Sequence, residues 1–168
     1  MKTLLLLNGP MGVGKSAVCR ALSGRITPSV YLDGDWCWSM NPFRVTDETR
    51  EMVMDNITAM LSRFLACSEL DYVIFGWVMH RPEIAQSILN RLDLRGVRVF
   101  HYTLLCAEHT LRGRIEKDIQ AGLRTPDVLE RSLAYLPLYA AQHTIKIMTD
   151  ELDPRQAAET IAGQIESG

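Results

Sequence analysis

Eight residues near the N-terminus carry the most specific chemistry in the chain. Gly9-Pro10-Met11-Gly12-Val13-Gly14-Lys15-Ser16 satisfies the pattern G-x-x-x-x-G-K-[ST] in full. Glycines permit positive-φ turns and close main-chain approach, so successive N–H groups can surround a phosphate. A helix starting near Lys15 adds the positive end of its dipole. The Lys15 ammonium suits β- and γ-phosphate oxygens, and the Ser16 hydroxyl suits Mg2+. The spacing therefore predicts a nucleoside triphosphate site over Gly9, Gly12, Val13, Gly14, Lys15 and Ser16.

A second stretch, "YLDGDWCW", brings Asp33 and Asp35 to the carboxyl end of a predicted strand, where open α/β sheets gather their ligands. Asp35 is suited to accept a proton from an attacking hydroxyl and Asp33 to hold a Mg2+-bound water. An Asp-Gly turn that merely ends the strand is the plainer alternative. The third predicted strand, "YVIFGWVM", ends without an acidic residue. GTPases and many motor ATPases hold magnesium with an aspartate there, so that metal role shifts to Asp33. Trp36, Trp38, Phe43 and Trp77 gather on the predicted acceptor side, as packing or as a platform for a flat or apolar acceptor.

The elements that must position these groups alternate. "TLLLLN", "SVYLDGD", "DYVIFGWVM", "VRVFHYTLL" and "TIKIMT" are apolar runs of strand length, separated by segments of helical period. A first helix is expected from Lys15 to Leu22, closed by Gly24. Thr46 caps a second, with Val53, Ile57, Met60, Leu61, Phe64 and Leu65 on its inner face. Pro82 opens a third that Gly96 ends, with Ile84, Ile88, Leu89 and Leu92 inward. A helix through Leu111, Ile115 and Ile119 stops near Gly122, and the next begins at Pro126 and is interrupted by Pro137. Pro154 starts the last. This order predicts a five-stranded, parallel, doubly wound α/β sheet.

Bulk properties narrow the function class. With 168 residues, 47% hydrophobic and 23% charged, one domain over residues 1–168 is expected. The apolar run Leu4–Leu7 is too short for a secretory signal, and no stretch has the length of a membrane span. A net charge of −2 offers no polyanion-binding surface, which disfavours nucleic acid and polynucleotide kinase roles. Cys19, Cys37, Cys67 and Cys106 form no C-x-x-C pair and suit reduced thiols in a cytoplasmic protein.

Taken together, "NGPMGVGKS", "YLDGD", "LLCAEHTLRGR" and "IKIMTDELDPRQAAETI" resemble the small P-loop kinases. That group includes adenylylsulfate, shikimate and gluconate kinases and the chloramphenicol phosphotransferases. The likeness in element order covers nearly the whole chain, and the phosphate loop is its specific part. It implies a P-loop NTPase fold with sheet order 2-3-1-4-5, ATP with Mg2+, and a mobile lid over about residues 108–139. It also implies that Asp35 meets the acceptor and Asp33 lies near the magnesium. "CAEHTLRGRIEKD" is similar to the start of a lid helix, where an arginine approaches the transferred phosphate; Arg114 fits best, with Arg112 the alternative and Arg124 a second lid arginine on the acceptor side. Arg81, next to His80, resembles the acceptor-binding arginine of nucleoside monophosphate kinases. Thr149 and Asp150 follow the fifth strand, where related kinases wrap a loop around adenine.

The resulting expectation is a cytoplasmic, Mg2+-dependent ATP:small-molecule phosphotransferase, monomer or homodimer, with no nucleic-acid or membrane partner. Lys15, Asp35 and Arg114 would be catalytic, Ser16 and Asp33 would serve the metal, and Asp150 would join the nucleotide site. Asp35, Trp36, Trp38, Trp77, Arg81 and Arg124 would bind the acceptor, a nucleoside or nucleotide, sugar-like metabolite or antibiotic. The alternative is a nucleotide-binding regulatory module, or a slow NTPase with no phosphoryl acceptor.

Overall fold

Leu4, Leu5, Leu6 and Leu7 are all fully buried, although side chains alternate across a strand. Such a strand needs cover on both faces, and the structure supplies it. In the computed structural model, which describes residues 1–168, Leu5 and Leu7 pack with Leu22, Leu111, Ile115 and Ile161. Leu4 and Leu6 pack on the opposite face with Val53, Ile57, Leu61 and Ile88. Each leucine contributes about 1.5–3 kcal/mol of burial.

The strands are β1 (Lys2–Asn8), β2 (Ser29–Asp33), β3 (Tyr72–Gly76), β4 (Val97–Leu105) and β5 (Ile145–Met148). They form one sheet of order β2-β3-β1-β4-β5. All pairings are parallel, with Leu5 opposite Ile74 on β3 and Phe100 on β4. This is the expected topology. The helices are α1 (Lys15–Arg25), α2 (Asp47–Ala66), α3 (Pro82–Leu89), α4 (Glu108–Gln120), α5 (Asp127–Ala140) and α6 (Pro154–Ser167). No helix is long and apolar enough to cross a membrane.

Several element boundaries differ from expectation for physical reasons. Gly24 does not close α1, which runs on to Arg25; that arginine pairs with Glu159 at 2.9 Å and Glu166 at 3.2 Å on α6. Thr46 caps α2 as expected, exchanging hydrogen bonds with Thr49. Met60 lies outside the buried face, which is Val53, Ile57, Leu61 and Leu65. α3 ends at Leu89, and Gly96 instead takes a positive φ of 71° just before β4. Pro137 does not interrupt α5. It lies in the last turn, where the missing N–H removes a single helical bond, and the helix continues to Ala140.

Candidate functional site

Parallel strands deliver their carboxyl ends to one edge, and every candidate group leaves from there. β1 runs into the glycine loop. Gly9, Gly12 and Gly14 have φ of 148°, 85° and 100°. A side chain at Gly12 would also collide with Ile115, whose Cγ1 lies 2.5 Å from the ideal Cβ position. Gly14 is the N-cap of α1. The N–H groups of Gly12 and Gly14 have no acceptor within the protein, and those of Lys15 and Ser16 open the helix with no preceding turn to bond. The result is a concavity of main-chain donors.

Lys15 folds back over this loop, donating to the carbonyls of Gly9 at 2.7 Å and Pro10 at 3.1 Å. Burial lowers its pKa to about 8, against the pull of Cys19, Asp35 and Asp33. A cation short of solvent is one that an anionic ligand would stabilise strongly. The neighbouring Cys19 thiol is pushed up to about 12, chiefly by burial, which leaves it inert.

Asp33 ends β2 and is only 8% exposed. Its Oδ2 accepts hydrogen bonds from Ser16 Oγ at 2.9 Å and Tyr31 OH at 2.8 Å, and its Oδ1 accepts the Asp35 N–H at 3.0 Å. The donor set of Ser16 hydroxyl and Asp33 carboxylate is hard oxygen, which suits Mg2+. Nowhere does the protein gather three or more His, Cys, Asp or Glu side chains able to hold an ion alone.

Asp35 lies in a 3-10 turn, Gly34–Trp38, and accepts a hydrogen bond from Trp77 Nε1 at 3.2 Å. Its pKa is raised, first by loss of surrounding water and next by the Asp33 charge, while Lys15 acts in the opposite sense. Gly34 makes room for this arrangement. The Trp77 indole lies so close that a Cβ at Gly34 would sit 2.4 Å from its Cγ.

On the far side of Trp77 opens a cavity of about 700 Å3, which Asp35 meets only through its hydrogen bond to the Trp77 indole and does not itself line. Trp38, Trp77, Met54 and Ile84 contribute to its walls, with Pro10 and Met11 from the glycine loop. The α5 residues Arg131, Ser132, Tyr135 and Tyr139 also line it. Arg81 and His80 line it too, the His80 ring stacked on Tyr135 with centroids 4.5 Å apart. Trp36 does not reach it. That side chain is 53% exposed and packs on Tyr31, its ring centroid 5.3 Å away.

The arginines divide differently from expectation. Arg114 donates to Val13 O at 3.1 Å, Thr149 Oγ1 at 3.0 Å and Thr149 O at 2.7 Å. There it lines a smaller cavity of about 180 Å3 with Val13, Val18, Leu152 and Pro154, on the opposite flank of the loop from the acceptor candidates. Arg124 pairs with Asp118 at 2.8 Å, yet its charge is felt at both Lys15 and Asp35. Arg112 pairs with Glu108. Asp150 is engaged structurally, accepting the Ala107 N–H at 2.9 Å and the Thr110 hydroxyl at 2.7 Å at the start of α4.

Residues that sequence reasoning missed hold the parts together. Buried Asn8 accepts the N–H groups of Gly9 and Met79 and donates to Met79 O and Gln142 Oε1. Gln142 in turn donates to Met79 O at 2.8 Å. One amide thus joins the glycine loop, the β3–α3 connection and the end of α5. The only hint was a polar residue closing an all-leucine strand. Arg131, Ser132 and Tyr135 lay in a helical segment with no motif.

Residues 5–125 match the family model described as AAA domain. No curated protein matches the chain. Among solved structures, it is similar to the tunicamycin resistance protein of Deinococcus radiodurans, with a TM-score of 0.69 and 23% identity over 98% of this chain and 96% of that one. It is also similar to a gluconokinase from Sinorhizobium meliloti, with TM-score 0.66 and 18% identity over 99% and 94%. A shikimate kinase from Acinetobacter baumannii gives TM-score 0.65 and 18% identity over the same shares. At these identities the likeness establishes the fold, which is the P-loop NTPase fold expected from the motifs. The glycine loop at the end of β1, and a family match spanning residues 5–125, lead to one assignment: this chain belongs to the AAA domain family.

Proposed function

We propose that this protein is a Mg2+-dependent kinase that transfers the γ-phosphoryl group of ATP to a small molecule. One observation carries the reading. A run of hydrogen bonds passes from Ser16 through Asp33 to Asp35, and from Asp35 to Trp77 in the wall of a separate cavity. An NTPase that only hydrolyses needs no second cavity facing its phosphate loop.

In this reading the amides of Gly12–Ser16 and the Lys15 ammonium hold the triphosphate, displacing Lys15 from the Gly9 and Pro10 carbonyls. Ser16 would ligate the Mg2+ and Asp33 would hold one of its bound waters, and the ion would neutralise phosphate charge. Asp35 accepts the proton of the acceptor hydroxyl, its raised pKa keeping it a usable base near neutral pH. Arg114, beside Val13 and Thr149, serves the nucleoside end. Arg124, whose charge reaches Lys15 and Asp35, serves the transferred group. The pair α4–α5 acts as a lid over about 108–139 that excludes water from the phosphoryl group.

The test is ADP release measured across a panel of nucleosides, nucleotides, sugars, polyols and antibiotics. Turnover that rises with one acceptor class supports a kinase. ATP turnover equal with and without every acceptor supports instead a slow NTPase or regulatory module.

A further inference from the structure

The acceptor cavity has a composition that selects among small molecules. It is about 700 Å3, in the range of sites for drug-sized ligands and far larger than a short polyol fills. Its aromatic walls come from two separate parts of the chain: Trp38 and Trp77 from the β2 and β3 ends, and the stacked pair His80–Tyr135 bridging to α5. Large planar side chains of this kind match a ring.

The charges at the cavity are uneven. Arg50, Arg81 and Arg131 line it against a single acid, Glu83. Arg50 is answered by Asp47 at 3.3 Å, and Arg131 more loosely by Asp127 at 3.8 Å. Arg81 has no ion-pair partner within 4.0 Å and makes no side-chain hydrogen bond. A third, independent feature is Ser132, which lines the same cavity at 3% exposure while its buried Oγ has no hydrogen-bond partner. Buried hydroxyls are normally paired, and one left open beside a cavity indicates a polar atom still to come.

Resting on the kinase reading above, we propose that the acceptor is an anionic, ring-bearing molecule. Its ring lies among Trp38, Trp77 and Tyr135, its acidic group meets Arg81 and Arg131, and a polar substituent meets Ser132 Oγ. The hydroxyl that receives the phosphoryl group is the one presented to Asp35.

The experiment compares three probe sets in acceptor-dependent ADP release: nucleoside 5′-monophosphates with hydroxylated aromatic carboxylates, the matching neutral nucleosides and phenols, and ringless anions such as gluconate. Quenching of tryptophan fluorescence, without nucleotide, reads binding separately from turnover. The best kcat/KM is expected in the first set. Arg81→Met should raise KM for that acceptor about 10- to 100-fold, and leave its neutral analogue within about twofold, as for loss of a charge-assisted hydrogen bond. Ser132→Ala should raise the same KM several-fold with kcat kept. A best acceptor that is neutral or ringless overturns this proposal and leaves the kinase intact, as does an Arg81→Met enzyme with unchanged KM. No turnover above background with any set, while ATP still binds, overturns the kinase reading itself.

Discussion

Gly34→Ala tests whether the Trp77–Asp35 arrangement serves the acceptor. The added Cβ would sit 2.4, 2.5 and 2.8 Å from Trp77 Cγ, Cδ1 and Cδ2. Carbon atoms pack at about 3.5–4.0 Å, so the indole must retreat by roughly 1 Å or more. Retreat loosens the 3.2 Å hydrogen bond to Asp35 and moves a wall of the acceptor cavity. Misplacement on that scale costs about 100-fold in rate. Overpacking costs about 1–3 kcal/mol, which for a chain of this size lowers Tm by about 2–12 °C. Acceptor kinetics from ADP release, nucleotide Kd from calorimetry and Tm from scanning calorimetry separate these effects. The expected result is an acceptor kcat/KM down about 100-fold with nucleotide Kd within about twofold, because the glycine loop is untouched. Gly163→Ala in α6, where a Cβ meets nothing within 4 Å, is the control and should gain about 0.5–1 kcal/mol. Unchanged acceptor kinetics in a folded Gly34→Ala protein would refute the reasoning.

Four further outcomes are expected. Asp35→Asn should reduce acceptor-dependent turnover by about 100- to 10,000-fold while leaving ATP affinity nearly unchanged in calorimetry. In the pH profile of kcat/KM, the acid limb should lie above the ordinary carboxylate range, because Asp35 must lose its proton and desolvation and Asp33 raise its pKa; the basic limb should fall near pH 8, where free Lys15 loses its charge. The same lysine has its folded pKa depressed from 10.5, so its burial costs stability below about pH 8. Because the unfolded chain holds the extra proton between about 8 and 10.5, that cost should be relieved across the window, read as a rise in the unfolding free energy of the nucleotide-free protein in denaturant titrations. Arg114→Met should raise the KM for ATP about tenfold or more with kcat largely kept, whereas Arg124→Met should lower kcat; the reverse split in steady-state kinetics would return Arg114 to the transferred phosphate.

Much of the fold was legible because local and global signals agreed. A strand of four leucines could only be covered on both faces, and glycine and proline punctuation marked most turns. Boundaries failed where tertiary partners overrode local preference, as when Arg25 met Glu159 and Glu166 and carried α1 past Gly24. The phosphate loop was legible because main-chain shape is written in glycine positions. Trp36 takes the packing alternative left open for the aromatic cluster, because residues 34–38 form a 3-10 turn. With three residues per turn, Asp35 and Trp38 share a side and Trp36 turns toward Tyr31. Arg114 lies on α4, but no sequence signal says which flank of the loop a helical arginine faces. The Asn8–Gln142 bond spans 134 positions, a distance at which sequence pattern carries no information.

The central claim is that the loop presents a phosphoryl group to an acceptor activated by Asp35. Its most direct measurement follows the label of γ-labelled ATP in the presence of the best acceptor, in wild type and Asp35→Asn at matched nucleotide occupancy. The account predicts label on the acceptor in the wild type and almost none there in the variant. Label appearing only as inorganic phosphate, at the same rate with and without acceptor, would contradict it.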